Sequence, residues 1–150
     1  MTARVAILMG SPRDADVMAP ASEFLERFGV PHETKVMSAH RTPQEVAAFA
    51  SSARADGYGV IICGAGLAAH LAGAVAANTT LPVIGVPLPG GIADGLDALL
   101  STVQMPRGIP VATVGVGNSA NAGLLAIAIL SVADASLAEQ LDRFRAEGAR

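Results

Sequence analysis

The chain has 150 residues, 51% of them hydrophobic, and this length and composition predict a single domain over residues 1–150 with a core of its own. Its 10 basic and 13 acidic residues give a net charge of -3, which excludes a general attraction to nucleic acid or acidic membranes, so any phosphate must be recognised locally. The one cysteine, Cys63, lies in an apolar run, which excludes a disulfide or a cysteine-based metal site and predicts a buried core residue.

The predicted elements begin with a strand over residues 4–9, a nearly continuous apolar run typical of a strand buried on both faces of a parallel sheet. No signal-peptide pattern precedes this strand, which predicts a cytoplasmic protein. Apolar residues then recur at helical spacing from Asp14 to a stop at Gly29, and Pro20 either kinks this helix or delays its start. A second strand is predicted over residues 32–37.

A helix over residues 43–56 is predicted next, because Thr42 to Glu45 has the capping-box spacing with proline at the first helical position. The apolar stretch over residues 60–77 is long enough to raise the question of a membrane span. It contains glycines and a histidine and changes its period, so it is interpreted instead as a strand over residues 58–63, a loop and a small-residue helix.

The rest of the chain predicts two further strands, each followed by a helix. The strands are expected over residues 82–86 and 110–115, with a helix over residues 94–103 between them. Asn118 or Asn121 is expected to cap the next helix, and Ser136 to Glu139 has capping-box spacing before a terminal amphipathic helix.

Five strands that alternate with helices predict an α/β fold of the flavodoxin-like or Rossmann-like class, with a five-stranded parallel sheet covered on both faces and a C-terminal helix. In such sheets ligands bind beyond the carboxyl ends of the strands. The expected ends are Gly10-Ser11, Ser38 to Arg41, Gly64-Ala65-Gly66, Gly85-Val86-Pro87 and Gly115 to Asn118. Nearly all the unusual polar and glycine residues are therefore expected on one rim of the sheet.

The first of these strand ends, Gly10 to Asp14, is suited to binding an anion. It presents backbone amides, the Ser11 hydroxyl and the Arg13 guanidinium near the start of a helix, where negative charge is favoured. Asp14 adds a carboxylate that can accept hydrogen bonds from sugar hydroxyls. The structural alternative is a plain turn from strand to helix, with Asp14 as the helix cap.

The second strand end, Ser38 to Pro43, places a hydroxyl, an imidazole and a guanidinium side by side before a helix. Arg41 suits a phosphate group and His40 suits proton transfer near neutral pH, although a histidine in a loop is also often a hydrogen-bonded bystander. His70 is interpreted as a hydrogen-bonded positioning group. The three histidines have no carboxylate or cysteine at metal-ligand spacing, which argues against a metal site.

The third strand end opens a segment, residues 64–73, built almost wholly from glycine and alanine. Such a segment either allows close helix packing or forms a tight wall, with exposed backbone amides, on which a flat ligand rests.

These motifs together resemble the PurE family, the N5-carboxyaminoimidazole ribonucleotide mutases of purine biosynthesis. Residues 38–43 read Ser-Ala-His-Arg-Thr-Pro and residues 103–106 read Val-Gln-Met-Pro, in the family's order. The other matching stretches are Met9-Gly10-Ser11 with Asp14 and Met18, residues 28–31, Gly64-Ala65-Gly66 with residues 68–71, residues 81–87, Ser101, residues 108–111 and residues 121–125. The resemblance thus extends from the first strand into the last third of the chain.

The resemblance implies a three-layer domain assembled as an octamer, without a metal or an organic cofactor. It implies an enzyme that moves a carboxylate from the exocyclic nitrogen of an aminoimidazole ribonucleotide to its ring carbon, with His40 as the proton shuttle. Ser11, Ser38 and Arg41 would hold the phosphate and Asp14 the ribose hydroxyls. The base and carboxylate would lie against Gly64, Ala65, Gly66, Leu67, Ala68 and His70. Arg41 stands where the related animal-type carboxylases carry lysine, which points to the mutase branch.

The oligomer is also favoured by composition, because a mean hydropathy of +0.47 is high for a small monomer. Four positions depart from the family pattern. Arg13 and Leu67 replace a serine and a glycine, and Ala72 and Ala74 replace a proline and a methionine. Arg13 either strengthens phosphate binding or recognises a different anion, and Leu67 either narrows the base pocket or is a tolerated variation.

These departures leave two alternatives to the mutase. One is a diverged paralogue that acts on another heterocyclic nucleotide, and the other is a catalytically silent nucleotide-binding module. His40 beside Arg41 argues against the silent module, because a pure binder needs no proton shuttle.

Overall fold

The first strand lies near the middle of a parallel sheet, as its continuous apolar sequence predicts. The computed structural model describes residues 2–150. The strands are β1 (Arg4–Met9), β2 (His32–Val36), β3 (Tyr58–Ala65), β4 (Val83–Pro87) and β5 (Ala112–Thr113), and their order in the sheet is β2-β1-β3-β4-β5. The register sets Met9 beside Val36 on one side and Gly64 on the other, so three carboxyl ends lie together.

Helices cover both faces of the sheet. They are α1 (Ala15–Arg27), α2 (Pro43–Ser52), α3 (Leu71–Ala76), α4 (Leu96–Val103), α5 (Ser119–Ser131) and α6 (Ala135–Ala146). Alternate side chains of β1 enter different cores, with Ile7 on the side of α1, α5 and α6 and Leu8 on the side of α2 and α3. The predicted three-layer flavodoxin-like fold with a C-terminal helix is confirmed.

In both predicted capping boxes, the side chain expected to cap the helix does not do so. Thr42 is the residue before α2, but its hydroxyl accepts from the Ser38 amide (2.9 Å) instead of capping the helix. Helix α6 is capped by Asp134, whose carboxylate accepts from the amides of Ser136 and Leu137, so Ser136 is not the cap. Of the two asparagines considered for α5, Asn118 is its cap.

Several element boundaries also differ from the prediction. Helix α1 starts at Ala15 and continues through Pro20, whose ring leaves one carbonyl of the helix without an amide partner. Helix α2 ends at Ser52, and turns carry the chain on to Gly57. The fifth strand, predicted over residues 110–115, forms only over Ala112–Thr113, and Pro110 at its expected start has no amide to donate to the ladder.

Cys63 is buried in β3, and burial raises the pKa of its thiol, as expected of a core cysteine. None of the helices formed by residues 2–150 combines the length and the apolar character that a membrane crossing needs.

Candidate active site

A cavity of about 650 Å³ opens at the carboxyl edge of the sheet. It lies where the chain leaves β1 for a helix on one face and β3 for a helix on the other, the crevice in which doubly wound sheets bind ligands. Every site residue predicted from the sequence lines it except Gly64: Ser11, Arg13, Asp14, Ser38, His40, Arg41, Ala65, Gly66, Leu67, Ala68 and His70.

The loop after β1 presents Ser11, Arg13 and Asp14 to the cavity. The Arg13 amide donates to the Ser11 hydroxyl oxygen (3.2 Å), which folds residues 12–14 into one turn of 3-10 helix before α1. Asp14 precedes α1 but makes no side-chain cap, so its expected role as the helix cap is wrong, and Ser11 caps the turn instead. Burial raises the pKa of Asp14, and the Ser11 backbone offsets part of that rise.

The loop after β2 is held by Ser38. Its hydroxyl oxygen accepts from the amides of His40 (3.3 Å) and Arg41 (3.1 Å), and Thr42 binds the Ser38 backbone from the other side. A hydroxyl that accepts from backbone amides still has its own proton to donate. Ser38 and Ser11 therefore shape their loops and can each donate a hydrogen bond to a substrate oxygen.

His40 and His70 form a pair across the cavity. The distance from Nε2 of His40 to Nδ1 of His70 is 2.7 Å, and the rings are perpendicular, with centroids 4.9 Å apart. One proton lies between these two nitrogens, since each hydrogen bond needs one donor and one acceptor. The pair leaves Nδ1 of His40 without a hydrogen-bond partner among residues 2–150, and His40 lines the cavity.

The glycine-rich loop after β3 forms one wall of the cavity. Leu67, at the position where a glycine was expected, has φ of +54° and a side chain that is 61% exposed. A leucine in this left-handed region is strained. Gly64 was expected in the same wall but lies inside β3, where an added Cβ would overlap the Met18 side chain. Gly64 is therefore a packing residue and does not line the cavity.

The cavity carries unpaired positive charge. Neither Arg13 nor Arg41 makes an ion pair or a side-chain hydrogen bond with any other residue in the range 2–150, and both are exposed. Two free guanidiniums suit a phosphate group, which they can bind in bidentate fashion. Within the same range, His, Cys, Asp and Glu side chains form no group of three or more that could hold a metal ion.

Two lining residues were not predicted from the sequence, and one strand end that was predicted at the site lies elsewhere. Leu88 and Pro89 line the cavity just beyond β4, one and two residues past the predicted strand end. The end of the fifth strand, residues 115–118, does not line the cavity, and the Gly117 amide there donates to the Pro87 carbonyl (2.8 Å). Leu88 and Pro89 would have been predicted as site residues if each expected strand end had been extended by two residues.

Comparison with known proteins gives relatives that match nearly the whole chain. It is 56% identical over 138 residues to the N5-carboxyaminoimidazole ribonucleotide mutase of Aquifex aeolicus, covering 92% of this chain and 83% of that protein. It is equally identical over the same length to the chloroplastic phosphoribosylaminoimidazole carboxylase of Vigna aconitifolia, but spans only 25% of that longer protein.

The structure has a similarly close neighbour. The crystal structure of Treponema denticola PurE superimposes with a TM-score of 0.89 at 31% identity, covering 97% of this chain and 91% of that one. The family model described as AIR carboxylase matches residues 4–150. A match of this extent, together with relatives at 56% identity, shows that the chain belongs to the AIR carboxylase family.

Proposed function

We propose that this protein is an N5-carboxyaminoimidazole ribonucleotide mutase that makes 4-carboxyaminoimidazole ribonucleotide in purine biosynthesis. The observation that carries the proposal is the His40–His70 pair, 2.7 Å between ring nitrogens, in a cavity that also holds two unpaired arginines. The name of the Aquifex aeolicus relative supports the same reaction. The enzyme is an isomerase, and cytoplasmic location is part of the proposal.

The substrate would lie with its phosphate towards the loops after β1 and β2. Arg13 and Arg41 supply charge there, and Ser11 and Ser38 have hydroxyl protons to donate. Asp14 would accept hydrogen bonds from the ribose hydroxyls. The aminoimidazole ring would rest on residues 65–68, where the small side chains of Ala65, Gly66 and Ala68 leave backbone amides accessible.

The chemistry requires one proton to be given and taken back. As the bond between the carbamate nitrogen and the carboxyl carbon breaks, its electron pair stays on nitrogen, which takes a proton from the His40 imidazolium, and carbon dioxide is released. The ring carbon then attacks carbon dioxide, and neutral His40 removes the proton from that carbon. His40 ends in its starting state, so the reaction needs no other acid or base.

His70 would keep His40 in one tautomer through both steps. When Nε2 of His40 donates to Nδ1 of His70, the exchangeable proton of His40 is the one on Nδ1. After that proton leaves, the Nε2 proton remains bound to its partner. The same nitrogen of His40 therefore serves as acid and then as base.

Replacing His40 with Asn should lower turnover of the carbamate ribonucleotide by roughly a hundredfold to ten-thousandfold, the usual contribution of a general acid and base. Binding of the nucleotide, measured by calorimetry, should change little because the arginines and serines remain. His32→Asn is the matched control, since His32 bonds Ser22 and Val30 and does not line the cavity. Turnover near the wild-type rate in His40→Asn would contradict the assignment.

Replacing Asp14 with Asn should raise the melting temperature at pH 7 while weakening nucleotide binding. Because burial raises the pKa of Asp14 in the folded state, its ionised carboxylate destabilises the fold at neutral pH. The gain should disappear as the pH falls below about 4, where the carboxyl is protonated in both states. Asp16→Asn, which alters an exposed carboxylate in the first turn of α1, is the control and should give no gain. Equal melting temperatures for wild type and Asp14→Asn at pH 7 would refute this prediction.

Replacing Leu67 with Gly tests the diverged paralogue. A glycine removes the strain at positive φ, which stabilises the fold, but it also raises the conformational entropy of the unfolded chain, which destabilises it. The free energy of unfolding should therefore change by no more than about 1 kcal/mol. We expect turnover within about tenfold of wild type, which corresponds to 1.4 kcal/mol in the barrier. Ala93→Gly, also at positive φ but outside the cavity, controls for the relief of strain. A gain of about a hundredfold would instead make another heterocyclic nucleotide the better substrate.

We further propose that the protein assembles as an octamer. Helix α4 carries Leu96, Leu100 and Val103 on one exposed face, and Val132 at the end of α5 is 90% exposed. Helix α5 is apolar on nearly all sides, a pattern typical of a helix that is covered all round. Exposed apolar surfaces of this kind are usually covered by a partner. The family resemblance implies that the partner is another copy of the chain.

Light scattering of the purified protein at micromolar concentration should give a mass of about 121 kDa, that of eight 15.1 kDa chains. Leu100→Asp should lower this mass, because it places a charge in the middle of the exposed face of α4. A monomeric mass for the wild-type chain would contradict the assembly.

A further inference from the structure

The wall formed by the glycine-rich loop is tied to helix α4 through one side chain. The buried amide of Ala69 donates to Oγ of Ser101 at 2.9 Å, and Ala69 is only 1% exposed. Among residues 2–150 this amide has no other hydrogen-bond partner. A buried amide without a partner is costly, so this single bond fixes where the loop lies against α4.

Ser101 also reaches the strained residue of the wall. Its Oγ lies 3.3 Å from the carbonyl of Leu67 and 2.7 Å from that of Asp97, one turn earlier in α4. Oγ also lies 3.3 Å from the carbonyl of Ala98, so the single hydroxyl proton goes to one of three carbonyls at a time. Whichever carbonyl takes the proton, Ser101 accepts from the amide of Ala69, and it can donate to the carbonyl of Leu67, the residue held at positive φ.

The hydrogen bond between Ala69 and Ser101 also affects the position of the histidine pair. His70 follows Ala69 in the chain, and its own amide donates to the Ala68 carbonyl at 3.0 Å. The ring of His70 then holds His40 at 2.7 Å. A shift of the Ala69 backbone would move His70. The imidazole ring of His40, which exchanges the proton, would then be displaced as well.

We propose that Ser101 is a positioning residue for the proposed mutase reaction, on whose assignment this inference rests. Its side chain does not itself line the cavity and acts through the loop, by setting the backbone at Leu67 and Ala69 and hence the orientation of His70. The phosphate end of the cavity belongs to two other loops, which Ser101 does not contact. Its loss should therefore affect the chemical step more than binding.

Ser101→Ala should lower kcat by roughly ten- to a hundredfold, the scale expected when reacting groups are misplaced by about an ångström. KM should stay within about threefold, because the phosphate contacts are intact. Ser101→Thr keeps the hydroxyl and should recover most of kcat. The matched control is Ser51→Ala, which removes a helix hydroxyl with the same bond to the carbonyl four residues earlier (2.7 Å to Ala47) but lies outside the cavity. It should leave kcat unchanged.

Hydrogen exchange measured on the peptide that contains Ala69 gives a readout independent of activity. Its amide should exchange at least about tenfold faster in Ser101→Ala than in wild type or Ser51→Ala. Unchanged exchange, or faster exchange with unchanged kcat, would overturn the inference. A wild-type protein without mutase activity would overturn the proposed function instead, and exchange together with the ring nitrogen shifts of His70 would then decide whether Ser101 positions this loop.

Discussion

The parallel pairing of β1 with β3 is the constraint on which the site depends. Both strands are buried on their two faces, so polar side chains can appear only where the strands end. The chain then runs from β1 into α1 on one face of the sheet and from β3 into α3 on the other face. The cavity opens between these two connections. The apolar core thus determines both where chemistry can occur and which loops can supply it.

The site is built at some cost to the stability of the fold. Leu67 is held at positive φ, and Asp14 keeps a carboxyl in a place where burial disfavours its charge. Neither residue packs the core, so neither feature helps folding. The two cores on either side of β1 supply the offsetting stability, and the hydrogen bonds of Ser38 and Ser101 hold the loops of the site in place.

The secondary-structure elements and the residues of the cavity could be predicted from the sequence, whereas most of the side-chain hydrogen bonds within them could not. Strand β1 follows from its apolar run, and the rim residues Ser38 to Arg41 follow from the rule for strand ends, both of which depend on local sequence. The bonds of the Thr42 hydroxyl and the cap of α6 could not be predicted, because a hydroxyl chooses among neighbours that only the fold supplies. The His40–His70 contact joins residues 30 apart and has no local signature.

The proposed chemistry also explains why a single chain would be an incomplete catalyst. Free carbon dioxide must stay beside the ring carbon until the second step, which requires that water and bulk solvent be kept out. In one chain His40, Arg41 and His70 are all exposed, and the cavity they line is open. A bound ribonucleotide would cover part of that opening, and the proposed assembly offers a neighbouring chain to cover more. The proposed assembly and the proposed chemistry would then be linked, because the exposed apolar face of α4 lies on the helix that carries Ser101.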